Sequence, residues 1–488
     1  MVDTMKNYIG GEWRESSSQH LEEVLNPATG EVLAKVPFST EEEVNETVQV
    51  AKETFHSEWR NASINERVDP LYKYVEVLKD NEEELAETLV KEHGKEWAAA
   101  VGEMRRTTQM VQSACAVIET QKGDFSENIS RGIDEYSVMR PLGVFAMIPP
   151  FNFPAMVPWW YAPFAIAVGD TYIIKPNEQC PMTQRHMFEL IDEHLDLPPG
   201  VLNLINGGPE VGGALIEHSD IEGISFVGST PVAKEIYRQA TANGKRAQCQ
   251  AGANNFHVVT PEADLDESVS NMMGSYWGNT GQRCLAGSIV VGVGEVYETL
   301  KEKFLNSTKQ MKLGYGLEEG TDIGPVISED ALQKLHEGIE KGLEEGAKLL
   351  LDGRNPSVED YPEGNFIGPT VFEGAEPGME IFDKELFGPV ACLIQAENLD
   401  KAIELVNGND YGNAITIYTE NGGEARKFRN QVKVGNVGIN VGTVAPMAYY
   451  PFGGMKDSFF GDLHGQSKDV VNFFADRQVV IERWLGSQ

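Results

Sequence analysis

Four short stretches carry residue types at spacings that could do chemistry on a small molecule. In Asn279-Thr280-Gly281-Gln282-Arg283-Cys284 a thiol directly follows a guanidinium. A neighbouring positive charge can lower a thiol pKa, and a thiolate adds readily to an aldehyde carbonyl. A lone cysteine is equally a small buried hydrophobe. Pro149-Pro150-Phe151-Asn152-Phe153-Pro154 sets a carboxamide just after the apolar run Val144 to Ile148. That amide could donate to a developing oxyanion, or simply occupy a turn between prolines. Ile174-Lys175-Pro176-Asn177-Glu178 offers a Lys and a Glu that could grip the hydroxyls of an adenosine ribose. A carboxylate there repels a 2′-phosphate and favours NAD over NADP; a solvated charged turn is the other reading. Phe226-Val227-Gly228-Ser229-Thr230 puts a Gly-Ser turn where a helix should open, which suits a pyrophosphate or an ordinary cap. No GxGxxG fingerprint occurs.

The elements that must position these groups follow from periodicity. Thr40 to Glu43 carries capping-box chemistry, and Val44, Val48, Ala51 and Phe55 recur at helical spacing. Helical patterns continue over 65–120. From 143 the texture alternates, predicting strands at 144–148, 172–175, 201–205 and 223–227. Helices are predicted at 155–167, 182–194, 210–217 and 231–242. A second series predicts strands from Phe256 and at 288–293, 347–351, 390–395, 414–418 and 436–440. Val470 to Trp484 reads as an apolar strand followed by a tail. Strands alternating with helices predict an α/β fold with parallel sheets covered on both faces. The ligand-bearing stretches then fall at strand ends, where such sheets place their sites.

The bulk properties narrow the function classes. The chain has 488 residues, 40 basic and 75 acidic, for a net charge of −35. That excess disfavours nucleic acid and anionic membranes as partners, since both need basic patches. The acid is spread over surface segments, as in an ordinary solvated surface or an adaptation to high salt. Cys115, Cys180, Cys249, Cys284 and Cys392 lie far apart, with neither a metal-binding spacing nor a disulfide framework, which fits a reducing cytoplasm. The N-terminal stretch lacks the pattern of a signal peptide. The most apolar window, 151–168, is broken by Pro154, Pro158 and Pro163 and is too short to span a bilayer.

Taken together, the chain resembles the aldehyde dehydrogenase superfamily over nearly its whole length. The blocks that carry the resemblance are NPATG at 26–30, PFNFP at 150–154, KPNE at 175–178, FVGST at 226–230, GQRC at 281–284, ELFGPV at 385–390 and PFGGMKDS at 451–458. The resemblance implies an NAD-binding domain (1–120 and 141–255), a catalytic domain (256–450) and a small bridging β-sheet (121–140 and 466–488). It implies a homodimer or homotetramer. It assigns Cys284 as nucleophile and Asn152 as oxyanion amide, and it assigns Phe151, Lys175, Glu178, Ser229, Glu385 and Phe387 to the cofactor.

One departure points to a subgroup. Hydrolytic members carry a Glu where this chain has Gln250, at the head of Gln250-Ala251-Gly252-Ala253-Asn254-Asn255. An amide cannot accept a proton near neutral pH, so another acyl acceptor is expected, and coenzyme A brings its own thiol. This is similar to the methylmalonate-semialdehyde dehydrogenase group, as are GEMRR at 102–106 and GNFIGPT at 364–370. In that group arginines matching Arg106 and Arg283 hold the substrate carboxylate; here Arg105 beside Arg106 could take either role. The chain departs from the group at Asn254-Asn255, where a Lys-Asn pair is usual, and over Val441 to Tyr450. The resemblance therefore implies oxidation of a malonate-type semialdehyde with CoA as acceptor, with hydrolysis to a free acid as the rival. It implies no metal.

Overall fold

The computed structural model describes residues 2–484; Met1 and 485–488, the end of the expected bridging segment, lie outside the described residues. The fold is α/β and is built around two large sheets. The first has eight strands, with Arg246–Gln250, Ile221–Val227, Val144–Ile148, Thr171–Ile174 and Leu202–Leu204 running parallel. Chain order reverses between Val144–Ile148 and Ile221–Val227. Open parallel sheets bind ligands at the carboxyl ends of strands beside such a switch. Those ends here run into Pro149–Asn152 and Gly228-Ser229.

Alternation along each strand feeds two cores. Phe145 and Met147 join one apolar cluster, while Val144, Ala146 and Ile148 join the cluster on the opposite face. The second sheet has seven strands, with Thr370–Glu373, Val390–Ala396, Gly287–Val293, Asn255–Val259, Ala414–Tyr418 and Asn436–Ile439 parallel. It too is covered on both faces. The sheets are joined directly, from Gln250 at the end of one strand to Asn255 at the start of another.

Most predicted elements form within a residue or two of their expected bounds. The helix Glu41–Ser57 opens with the expected box: Thr40 accepts from Glu43 N, and the Glu43 carboxylate accepts from Thr40 N at 2.7 Å. Two expectations fail. The single helix expected over 155–167 is a turn, a short 3-10 segment Pro158–Trp160 and a helix Ala162–Val168, because Pro154, Pro158 and Pro163 interrupt the amide ladder. The strand expected from 470 begins only at Ala475, and Ser467–Phe474 is a helix. Val470, Val471, Phe473 and Phe474 of that helix belong to the first core, where Phe474 meets the Phe145 ring edge-on at 4.8 Å. The final strand, Ala475–Glu482, pairs antiparallel with Ile133–Pro141, which pairs with Phe125–Ser130. No helix among the described residues is long and apolar enough to cross a membrane.

Candidate active site

The GQRC block lies just ahead of the central strand Gly287–Val293, in a loop held in unusual conformations. Asn279 and Thr280 both take left-handed backbone angles (φ 55° and 54°), each costing about 1–3 kcal/mol in a non-glycine residue. Gly281 follows at φ 69°, and a Cβ there would sit 2.3 Å from the Gly388 carbonyl oxygen, so only glycine fits. Buried groups hold the strained loop: the Glu96 carboxylate accepts from Asn279 N at 3.0 and 3.1 Å, and the Gln282 side chain accepts from Ile327 N at 3.1 Å.

Asn152 lies against this loop. One N–H of its carboxamide donates to Gln282 O at 2.9 Å, leaving the second for a ligand. Its main-chain oxygen accepts from Lys95 Nζ at 2.9 Å. Lys95 is fully buried and paired with the equally buried Glu103 at 2.5 Å. The other Glu103 oxygen accepts from Ala155 N and Met156 N at 2.9 and 3.0 Å. The whole PFNFPAM turn is thus clamped by one buried ion pair, and such a pair costs about 3–5 kcal/mol to break. Next to it His93 stacks on Phe151 with ring centroids 5.9 Å apart, and burial holds its imidazole far below the usual pKa, so it stays neutral.

Cys284, Asn152, Phe151, Lys175, Glu178, Ser229, Glu385 and Phe387 all line one cleft of about 990 Å3, at the upper end of ordinary ligand-site sizes. Lys175 Nζ meets Glu178 at 3.2 Å and also donates to Gly207 O. Ser229 makes no side-chain cap bond to the helix it starts, Thr230–Ala242, so its hydroxyl is available at that helix N-terminus. The half-exposed Val232 presents an apolar wall on the same helix. Phe387, at φ 55°, packs edge-on against Phe151 at 5.8 Å. These groups fit a dinucleotide: a Lys–Glu pair for a ribose, a free hydroxyl at a helix start for phosphate, and apolar walls for planar rings.

The thiol does not have the low pKa expected of an Arg–Cys dipeptide. Burial, and then the nearby Glu385, push Cys284 up to about 12. Arg283 opposes this only weakly, because its guanidinium turns to the Gly274 carbonyl (3.2 Å) and to Glu96 (3.7 Å). Burial likewise raises Glu385 to about 8. Neither arginine assigned to a substrate carboxylate lines the cleft beside Cys284. Arg106 reaches the 441–450 segment, donating to Pro446 O and to Met447 Sδ, and also meets Gln109 at 3.0 Å. Arg105 faces outward to Glu82 at 3.0 Å, which separates the two neighbours: only Arg106 points to that segment. Gln250 is buried, its amide 3.5 Å from Phe452 O. Asp462 is exposed.

The sequence reading did not single out His93, Lys95, Glu96 or Asn413. The available signal was four ionisable side chains within 92–96, interrupted only by Gly94.

A thiol, a clamped amide and a dinucleotide-sized cleft between two parallel sheets are the arrangement expected of an aldehyde-oxidising enzyme. The chain belongs to the aldehyde dehydrogenase family, whose model matches residues 13–480. Among curated relatives it is similar to malonate-semialdehyde dehydrogenase 2 of Geobacillus kaustophilus (44% identical, 99% of each chain) and malonate-semialdehyde dehydrogenase of Halalkalibacterium halodurans (43%, 99% of each). Among solved structures it superposes on the methylmalonate-semialdehyde dehydrogenase of Oceanimonas doudoroffii with a TM-score of 0.97 at 37% identity, covering 100% of this chain and 99% of that one. The NAD complex of a Sinorhizobium meliloti 1021 protein provisionally given the same name matches equally well, at 0.97 and 38%, with the same coverage.

Proposed function

We propose that this enzyme oxidises a malonate or methylmalonate semialdehyde with NAD and passes the acyl group to coenzyme A. The observation that carries the choice of acceptor is Gln250, a buried amide at the position of the hydrolytic carboxylate. It cannot take a proton from water near neutral pH. Glu385, the carboxyl beside the thiol, is raised to about 8 and is mostly protonated at neutral pH, so it is a poor substitute base. Glu178 is engaged by Lys175.

In this reading Lys175, Glu178 and Ser229 bind the adenosine half of NAD, and Phe151, Glu385 and Phe387 border its other half. Bound NAD supplies the hydride acceptor. Cys284 loses its proton to solvent water and its sulfur bonds to the aldehyde carbon. The second N–H of Asn152 and the Cys284 main-chain N–H stabilise the oxyanion, which collapses to a thioester as the aldehyde hydrogen leaves with its electron pair. The substrate carboxylate is β to that thioester carbonyl. Loss of CO2 sends the C–C electron pair into the carbonyl, and a proton restores the acyl group. The CoA thiolate then attacks the thioester and Cys284 leaves as thiolate. Arg106, half-buried and bound only by neutral acceptors, suits the substrate carboxylate.

The test is NADH formation from methylmalonate semialdehyde with and without CoA, with products identified by mass. Turnover that requires CoA and yields propionyl-CoA is expected, and C284A should abolish it. CoA-independent release of a free acid would overturn the acceptor, and activity retained in C284A would overturn the nucleophile.

A further inference from the structure

Asn279 stands where the two halves of the site meet. Its carboxamide Nδ2 donates to Gln282 O at 2.9 Å and to Asn152 O at 3.4 Å. The Asn152 carboxamide donates to the same Gln282 O, also at 2.9 Å. Two carbonyl oxygens in front of the Asn279 amide fix which end faces them, because only the N–H end can donate. The side chain thus bridges the PFNFP turn, which follows a strand of the first sheet, and the GQRC loop, which leads into a strand of the second.

The backbone holds this amide in place against its own preference. Asn279 has φ 55° and ψ 28°, a region that glycine enters freely and other residues rarely. Its main-chain N is held by both Glu96 oxygens, and its main-chain O accepts from Gln282 N at 2.9 Å. The hydroxyl of Thr280, the next residue, donates to Gly324 O at 3.0 Å. The Asn279 side chain is fully buried, and its Oδ1 has no hydrogen-bond partner among the described residues. Glycine would relieve the backbone strain and remove the unpaired oxygen together. Strain and an unpaired buried atom at a site call for a reason. What asparagine has here and glycine lacks is the N–H end on the two carbonyls.

The reason follows from what Asn152 must do. One N–H of its amide is spent on Gln282 O, and the second is left for the oxyanion. The amide is planar, so the first bond sets the direction of the second. A shift of Gln282 O relative to the PFNFP turn would re-aim that donor. Donors stabilise an oxyanion only when they are fixed on the place where charge develops. We propose that Asn279 is a positioning residue: its amide ties the PFNFP turn to the nucleophile loop and so aims the free N–H of Asn152 at the oxyanion formed on Cys284. The same aim serves the oxyanion of aldehyde addition and that of CoA attack on the thioester. This rests on Cys284 as nucleophile and Asn152 as oxyanion amide.

The experiment is a double-mutant cycle in the full-length enzyme, with wild type, N279G, N152A and the pair. First-turnover NADH formation from methylmalonate semialdehyde without CoA gives a rate constant and an amplitude, and added CoA then gives the rate of thioester cleavage. N279G should keep the wild-type amplitude, since glycine suits the backbone angle. Its rate constants should fall about ten- to hundredfold in both steps, with KM for the aldehyde little changed. In the N152A background N279G should lose nothing further. Iodoacetamide should alkylate Cys284 in N279G as fast as in wild type, since that reaction develops no oxyanion. A wild-type rate constant in N279G, or an equal loss with and without Asn152, would overturn the proposal. So would a lower amplitude at an unchanged rate constant, which is the mark of a merely structural defect. If N279G does not fold, the near-isosteric N279D decides: at alkaline pH its ionised oxygens face the two carbonyls and the rate constants should fall, and wild-type values there would overturn the proposal. A wild-type rate constant in N152A would strike the oxyanion assignment, and the proposal with it.

Discussion

At the scale of single residues, the site is a set of groups whose charge is suppressed by burial. Cys284 is pushed up to about 12, Glu385 to about 8, and His93 is held neutral. An Arg–Cys dipeptide reads in sequence as an activated thiol, but the guanidinium faces away and burial dominates. The side chains found from motifs were those whose type is unusual at a strand end: Asn152, Lys175 and Glu178. The carboxamides on the Cys284 carbonyl were not legible, because Asn255 and Asn413 lie 29 and 129 positions from Cys284 and only sheet pairing brings them together. Glu385 also makes stability pH-dependent. Its folded pKa lies above the ordinary 4.5, so the folded form holds the proton more tightly. That contribution is complete below about 4.5, is lost as pH rises, and is gone above about 8. E385Q cannot lose a proton, so its melting temperature minus that of wild type should grow over this window and then level off. A difference independent of pH would contradict the ionisation assigned here.

At the scale of elements, the alternation of strands and helices was legible because both sheets are buried on two faces and their strands are short apolar runs between turn residues. The Ser467–Phe474 helix was not, since Val470-Val471-Asn472-Phe473-Phe474 fits a buried strand and a buried helix alike. The charged residues at 92–96 fall inside the stretch 65–120 that the sequence marks only as helical pattern, yet they fasten neighbouring elements. Glu92, at the end of helix Glu82–His93, accepts from Met182 N at 2.7 Å and Thr183 N at 2.9 Å, capping a different helix, Met182–His194. E92A leaves those buried donors without a partner and should destabilise the protein by about 1–3 kcal/mol in urea unfolding. E92Q, which keeps an acceptor oxygen, should lose less. Equal losses would assign the effect to charge and not to the cap.

At the scale of the molecule, the net charge of −35 is spread over a surface whose ion pairs are mostly exposed and weak, the buried Lys95–Glu103 pair standing apart. Self-repulsion of that size is long-ranged and is screened by salt, the Debye length falling to about 3 Å at 1 M. Melting temperature should therefore climb with KCl; a flat response would mean that the acidic surface carries no net strain. The chain path has a different consequence. The strand Ala475–Glu482 closes on Ile133–Pro141, with Tyr136 bonded to Glu482, 346 positions away in sequence, and the helix before it fills the core around Phe145. A ribosome adds about 5–20 residues each second. The first sheet's apolar face is thus synthesised early and stays unsealed for roughly 20–70 s, until the last segment emerges, so the nascent protein passes much of its synthesis with its largest hydrophobic surface incomplete.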